Sequence, residues 1–202
     1  MVNSSTQKTR RMVGLSILTA LVIVLQFVAE YIRISGVPIT LTLVPIVVGC
    51  ALYGMRGGAW LGGVFGVVVW IMSIAGIDPT GALLWNLNPF YTTLICVGKG
   101  VAAGVAAAAV YGAVERRSRI GAVLSAAVVS PVVNTGLFVL GVFVFFRSTL
   151  EGWAADDGAP SVVYFIIFGL CGINFVVELA LNLVLSSGIE RIIRYRKGSA
   201  EQ

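Results

Sequence analysis

Apolar residues run along this chain in six long stretches, most of which reach the roughly 20 residues that an α-helix needs to cross the hydrocarbon core of a bilayer. Short polar segments separate them. The stretches cover about Met12–Ile34, Ile39–Tyr53, Ala59–Ala75, Pro89–Val114, Ile120–Phe146 and Ser161–Ser187. The pattern predicts an all-α integral membrane protein, a bundle of six transmembrane helices. Pro45 inside the second stretch predicts a bend there.

The composition leaves no room for a soluble domain. Of the 202 residues, 58% are hydrophobic and 11% are charged, against about 25% charged in soluble domains. We expect residues 1–202 to form one membrane domain with short tails at about 1–11 and 189–202. The first stretch exceeds the roughly 7 to 15 apolar residues of a signal peptide, and no cleavage site follows it, so we expect it to be retained.

Positive charges favour one side of this arrangement. Of the 14 lysines and arginines, Arg33 and Arg147 lie on one side and Lys99 lies inside a span. The other eleven share the opposite side: Lys8, Arg10, Arg11, Arg56, Arg116, Arg117, Arg119, Arg191, Arg194, Arg196 and Lys197. By the positive-inside rule both termini are expected to be cytoplasmic. The expected location is the plasma membrane of a prokaryote. The bias also accounts for the net charge of +5, so no nucleic-acid partner is expected.

Lys99 is the main anomaly, because a lysine at the centre of a membrane helix costs roughly 2.5–3.5 kcal/mol. It shares a helix face with Thr92 and Cys96. Three other polar residues are expected at comparable depth: Asn134, Asn174 and Glu178. Membrane ionisable groups usually pair or line a cavity, so we expect a Lys99–Glu178 ion pair or a shared aqueous cavity. The cluster is either a ligand pocket or polar contacts that hold the helices together.

Two longer segments, 77–88 and 147–160, are predicted to be outward loops that bear aromatic and amide side chains above this cluster. Trp85, Asn88 and Tyr91 are therefore candidate binding residues, although Trp85 also suits the interfacial aromatic belt. The chain has no histidine and no Walker A sequence, so catalysis and autonomous ATP hydrolysis are not expected. The cysteines lack metal-ligand spacing, and no metal or cofactor is expected.

Small residues recur at four-residue spacing in three stretches, a pattern that lets helices pack closely. Gly58, Gly62 and Gly66 form one such series. Gly100, Gly104, Ala108 and Gly112 form another. Ser16 and Ala20 form a short pair, for which ordinary internal packing is an equal alternative.

Five segments resemble the substrate-binding S component of energy-coupling factor (ECF) vitamin transporters. They are ITLTLVPIVVGCALYG at 39–54, GGAWLGGVFG at 57–66, KGVAAGVAA at 99–107, SPVVNTGLFVLG at 130–141 and NFVVELALN at 174–182. The resemblance implies a non-enzymatic six-helix protein that captures a vitamin outside the cell. It also implies a transmembrane coupling subunit (EcfT type) and two cytoplasmic ATPase subunits as partners.

The VNTG and NFxxE segments look most like the pantothenate subgroup. An S component for riboflavin, folate or biotin is the alternative within the family, and a self-sufficient secondary carrier or channel is the alternative outside it. In the family the docking face of the first helix carries Ala-xxx-Ala, which Ser16 and Ala20 match with serine in the first position. The resemblance thus implies that this pair docks on the coupling subunit.

Overall fold

The structure is a computed structural model that describes residues 4–31, 33–34, 37–38, 41–172 and 175–185. The described chain is helical apart from a two-stranded antiparallel ladder. The elements are α1 (Ser4–Tyr31), β1 (Arg33–Ile34), β2 (Val37–Pro38), α2 (Leu43–Ile74), α3 (Pro79–Leu87), α4 (Pro89–Val114), α5 (Arg119–Phe145), α6 (Arg147–Asp156), α7 (Val162–Tyr164), a π-helix (Phe165–Cys171) and α8 (Phe175–Leu185).

Among the described residues, four helices are long and apolar enough to cross a membrane, namely α1, α2, α4 and α5. This confirms the helical membrane class. The predicted sixth stretch is divided among α7, the π-helix and the shorter apolar α8, and its last residues lie outside the described part of the chain. Six crossings and the orientation of the termini therefore stay predictions.

The 32-residue α2, Leu43–Ile74, contains most of the second and third predicted stretches. Its helical geometry is broken at Gly54, where φ is 65° and ψ is −155°, a conformation that glycine adopts without steric cost. The carbonyl oxygen of Gly49 lies 2.9 Å from where a Cβ on Gly57 would be. In an unbroken helix these residues would be about 12 Å apart, so the chain reverses and α2 forms two antiparallel arms, 43–53 and 55–74.

The bend predicted at Pro45 is wrong. Thr42 is the N-cap of α2, so Pro45 lies in its first turn, where a backbone N–H has no partner within the helix and its loss costs little. The break occurs at Gly54 instead.

The second arm of α2 packs against α4 with backbone nearly touching backbone. A Cβ added at Gly58 or Gly62 would collide with the carbonyl oxygen of Gly104 or Gly100, respectively. A Cβ at Gly66 would lie 2.6 Å from the carbonyl oxygen of Cys96. The two glycine series predicted to allow close packing therefore pack on each other, with the helices antiparallel.

Helix α5 packs on another side of α4 through side chains. The ring of Tyr91 stacks on that of Phe145 with centroids 4.4 Å apart, and Ile95 lies against Gly141. Helix α1 packs on α2, where the Thr42 hydroxyl donates to Gln26 Oε1 over 2.9 Å. The bundle is thus ordered α1, α2, α4, α5 by contact, which gives α4 two packed sides.

The bundle has an apolar exterior as well as an apolar core, unlike a soluble protein. Large apolar side chains face outward, with Ile17 exposed by 63% and Val184 by 70%. Several polar side chains are buried: Gln26, Glu30, Thr42, Ser73, Thr92, Ser130, Asn134, Glu178 and Asn182. Lipid favours an apolar exterior, and polar residues in membrane helices face the interior.

The two segments predicted to be outward loops are largely helical. Asp78 and Pro79 begin α3 with proline in its first turn, a position that suits the fixed φ of proline. Phe146 begins α6, in which Arg147 forms an ion pair with Glu151 over 3.0 Å. Both helices are short, and neither is of membrane-spanning length.

Candidate ligand-binding site

The start of α4 is fixed by Asn88. Its backbone is extended, with φ −156° and ψ 100°, and its side-chain oxygen accepts a hydrogen bond from the backbone N–H of Tyr91 over 3.2 Å. The Thr92 hydroxyl donates to the Asn88 carbonyl oxygen over 2.9 Å. Asn88, predicted to bind ligand, therefore has a clear structural role as an N-cap.

Lys99 lies on the inner side of α4, between this helix and α5. Thr92 and Cys96, predicted on the same face, are 1% and 5% exposed, and Lys99 is half-buried. The Lys99 ammonium nitrogen lies 4.7 Å from the ring centroid of Phe138 on α5. This distance is within the range of a cation–π contact, so the ammonium lies against the face of an aromatic ring.

Asn134 lies one helical turn from Phe138 on α5 and is 6% exposed. Its side-chain oxygen has no hydrogen-bond partner among the described residues. Ser130, one turn further along, is fully buried, and its hydroxyl is likewise without a partner in the described chain. Because buried polar atoms are normally hydrogen-bonded, these two atoms on one helix face are candidates for a hydrogen bond with a bound polar group.

Helix α8 contributes a buried polar face. Glu178 is 6% exposed and Asn182 is 2% exposed, and the Asn182 amide donates to the carbonyl oxygen of Glu178 over 2.9 Å. The Lys99 ammonium contacts the Phe138 ring, and its ion pair with Glu178 stays a prediction. Asn174, the third predicted member of the cluster from this segment, lies outside the described residues.

Aromatic side chains close the end of the α4–α5 pair nearest Asn88. Tyr91 stacks on Phe145, and its ring meets that of Phe146 edge-on at 6.4 Å. The buried cluster around them contains Leu84, Ile95, Val142, Phe146 and Leu150, with Tyr91, Phe138 and Trp153 packed against it. Tyr91 therefore packs against the same cluster as Phe138, whose ring contacts the Lys99 ammonium.

Trp85 lies apart from this cluster. Its ring meets that of Trp70, on the second arm of α2, edge-on at 6.1 Å. The indole nitrogen of Trp70 is buried without a partner among the described residues. The structure therefore brings Lys99, Asn134 and Tyr91 to the α4–α5 contact, while Trp85 faces α2.

A shallow groove of about 330 Å³ lies on the outer side of α4, lined by Pro89, Phe90, Thr93 and Leu94. Phe90 is 72% exposed there. None of the predicted site residues lines this groove, so it does not form part of the candidate site.

Phe138 and Ser130 are the members of the site that sequence reasoning did not single out. Both lie four residues from Asn134, a spacing that places three side chains along one face of a helix. That spacing was a usable signal. For an ordinary phenylalanine in an apolar helix, packing is the more common role, and only the contact with Lys99 distinguishes Phe138.

Ser16 and Ala20 lie on the exposed side of α1, among outward-facing apolar residues such as Ile17 and Val24. The opposite side of α1, with Val22 fully buried, packs into the bundle. Packing against the described part of the chain therefore does not explain the small pair. A smooth apolar surface with two small residues is left open to another helix.

Chemically, the candidate site offers one cation and several hydrogen-bonding groups in an enclosed setting between α4 and α5. A carboxylate is the natural partner of the ammonium, and Asn134 Oδ1 can accept from an N–H or O–H group. The arrangement suits reversible binding of a small polar anion.

The chain is similar to a family of transport proteins. The family model for the substrate-specific component of ECF transporters matches residues 10–189. A pantothenic acid transporter, PanT, from Lactococcus lactis subsp. cremoris strain MG1363 is 26% identical over 186 residues, which cover 87% of this chain and 89% of the relative. No solved structure matches the chain.

Proposed function

The chain belongs to the substrate-specific components of ECF transporters, and on this premise we propose that it captures pantothenate outside the cell for import. The observation that carries the proposal is the half-buried Lys99 against the ring of Phe138, one helical turn from Asn134, whose side-chain oxygen has no partner among the described residues. Pantothenate has a carboxylate for the ammonium and hydroxyl and amide donors for the oxygen. The relative described as a pantothenic acid transporter supports the same vitamin. Tyr91, Glu178, Asn174, Trp85 and Asn88 complete the proposed set of binding residues.

The proposed arrangement in the membrane is six crossings with both termini in the cytoplasm. The two arms of α2, which meet at Gly54, supply two of the crossings. The eleven positive charges on one side of such an arrangement support the orientation. Uptake would be driven by ATP through a transmembrane coupling subunit (EcfT type) and two cytoplasmic ATPase subunits.

We further propose that α1 docks on the coupling subunit through Ser16 and Ala20. Their exposure within an apolar surface supports this role, since a helix can approach closely over small residues. The docking surface lies on the far side of the bundle from the contact of α4 with α5, so docking and ligand binding should be separable by mutation.

The first test is to identify the ligand. Mass spectrometry of small molecules released from the purified full-length protein, followed by calorimetry, should find pantothenate bound at micromolar concentration or tighter. Riboflavin, folate and biotin serve as comparison ligands. Absence of pantothenate binding at micromolar concentration would remove the proposed substrate.

The second test separates docking from binding. Ala20→Trp should leave pantothenate affinity unchanged and reduce ATP-dependent uptake by the assembled transporter at least about tenfold, because the indole blocks close helix approach. Leu21→Trp is the matched control, since Leu21 is also exposed but lies about 100° around the helix. It should spare both properties. Unchanged uptake in Ala20→Trp, or loss of pantothenate binding in that variant, would contradict the docking role.

The third test concerns the energy source. In liposomes the chain alone should give no pantothenate uptake, and uptake should appear on addition of the coupling and ATPase subunits with ATP. Transport by the chain alone would instead identify a self-sufficient carrier.

A further inference from the structure

Three side chains one turn apart form a stripe along the face of α5 that meets α4: Ser130, Asn134 and Phe138. We call them the α5 stripe. Ser130 is fully buried and Asn134 is 6% exposed, and each has a side-chain oxygen without a hydrogen-bond partner among the described residues. Phe138 instead faces a charge, the ammonium of Lys99 at 4.7 Å. The stripe thus has a polar end and an end that holds a cation.

We propose that the α5 stripe selects the ligand by the distance between two of its groups, with Phe138 holding Lys99 in place for an anionic group and Asn134 accepting from an N–H or O–H donor. This inference rests on the proposed function as a binding subunit. It adds the chemical class of the ligand and its direction along the helix, and it assigns Phe138 as a positioning residue.

The donor requirement follows from the orphaned atom. Asn134 Oδ1 is an acceptor, and an acceptor buried without a partner is unfavourable. A ligand that supplies an N–H or O–H group satisfies it, whereas a ligand with acceptors alone at that point adds repulsion between two oxygens. The Ser130 hydroxyl can either donate or accept. It therefore adds a polar group to the stripe without requiring either a donor or an acceptor on the ligand.

The role of Phe138 follows from its contact with Lys99. A lysine inside a membrane protein needs a partner when the site is empty, and the face of an aromatic ring is a weak one. A carboxylate binds an ammonium more strongly than a ring does. The ligand can therefore take over the ammonium from the ring, and the ring keeps the lysine side chain ordered between α4 and α5 until it does so.

The spacing of Phe138 and Asn134 along α5 gives the distance between the carboxylate of the ligand and its N–H or O–H group. Phe138, which marks the depth of the ammonium, and Asn134 are four residues apart on α5, which corresponds to about 6 Å along the helix. Ser130 lies a further turn away. The stripe therefore fits a linear carboxylic acid with an N–H or O–H group one helical turn from its carboxylate.

The test compares an acid with its alcohol. Calorimetry on the full-length protein measures the affinity for pantothenate and for pantothenol, in which a primary alcohol replaces the carboxylate. Lys99→Met should weaken pantothenate binding at least about tenfold, and Phe138→Leu about fivefold, with little change for pantothenol in either variant. Asn134→Leu, of similar size and without the orphaned amide, should weaken both ligands about tenfold.

Two further variants separate positioning from packing. Phe138→Tyr retains an aromatic face and should keep the wild-type preference for the acid. Phe143→Leu is the matched control, because Phe143 lies on the same helix and also carries a cation, with Arg147 Cζ 5.5 Å from its ring centroid, but is 37% exposed. It should change neither affinity. Equal weakening of acid and alcohol by Phe138→Leu would overturn the positioning role.

The outcomes also separate this inference from the choice of vitamin. If pantothenate binds and the α5 variants do not alter its affinity, the stripe is wrong while the proposed function stands. If biotin or folate binds in place of pantothenate and Lys99→Met, Phe138→Leu and Asn134→Leu each weaken it, the vitamin is wrong while the stripe stands. Binding of riboflavin, which has no carboxylate, or of none of the four vitamins would overturn both.

Discussion

The two packed sides of α4 are built in opposite ways. Toward the second arm of α2, Gly100 and Gly104 bring backbone against backbone, and no side chain separates the helices at those points. Toward α5, the contacts are made by side chains, with Tyr91 on Phe145 and Lys99 on Phe138. One side leaves no volume for a ligand, whereas the other contains buried polar atoms without partners among the described residues.

This difference assigns stability and function to separate surfaces of one helix. Lipid offers little hydrophobic drive for helix association, so close packing over small residues has to hold the bundle together. The glycine side therefore fixes the position and tilt of α4. Lys99 can then be held at a defined depth on the other side, although it costs free energy where it stands.

The largest expected effect breaks the glycine side. In Gly62→Ala the new Cβ meets the carbonyl oxygen of Gly100, which is backbone and cannot rotate away. Overpacking of this kind costs about 3 kcal/mol and outweighs the roughly 1 kcal/mol that alanine adds in helix propensity. We expect a net loss of about 2 kcal/mol, seen as a lower thermal unfolding midpoint of the detergent-solubilised protein.

Gly98→Ala is the matched control, because in the described part of the chain no neighbouring atom lies within 4 Å of a Cβ added at Gly98 on α4, the helix against which Gly62 packs. It should be neutral or raise the midpoint, through the same gain in helix propensity. If both variants changed the unfolding midpoint equally, backbone contact between α2 and α4 would not be a particular source of stability. The two sides of α4 would then not differ in the way described above.

An intermediate loss of stability is expected at Asn88, the N-cap of α4, because both packed sides of this helix start there. Asn88→Ala removes the side-chain oxygen that caps α4 and should cost about 1 kcal/mol of stability. Asn88→Asp keeps the acceptor and should retain the stability of the wild type. If Asn88 acts only as a cap, pantothenate affinity measured by calorimetry changes little in either variant. A loss of affinity in both, with the Asn88→Asp variant as stable as the wild type, would place Asn88 among the ligand contacts.

Much of this division could be predicted from the sequence, but not all of it. Glycines four residues apart in two stretches predicted close packing, since the periodicity of a helix fixes which residues share a face. The depth of Lys99 followed from the length of its stretch. The contact of Lys99 with Phe138 could not be predicted, because the register between α4 and α5 is set by three-dimensional packing and one sequence contains no record of it.

The segments expected to be loops show a second reason why the fold could not be predicted fully from the sequence. Asp-Pro at the start of α3 is both a turn signal and a helix start, and the sequence does not distinguish the two. The helical path of α3 brings Gly81 against the Ser73 hydroxyl and the Asp78 carboxylate. Such packing favours a helix over a loop, and it depends on residues that are close only after folding.

The smallest expected effect sharpens the comparison on the α5 side. A Cβ added at Gly141 would lie 2.6 Å from Ile95 Cγ1, a contact as close as the 2.6 Å between a Cβ at Gly66 and the carbonyl oxygen of Cys96. Here the obstacle is the Ile95 side chain, whose β-branch restricts its rotamer but which can shift more easily than backbone. An overpacking cost of about 1 kcal/mol is offset by a similar gain in helix propensity, so Gly141→Ala should alter stability by less than about 0.5 kcal/mol, while Gly66→Ala should cost about 2 kcal/mol. Thermal unfolding of the two variants side by side measures the difference. Equal losses would mean that the α5 side is packed as rigidly as the glycine side, and a rigid α5 side would be poorly suited to admit a ligand between Lys99 and Asn134.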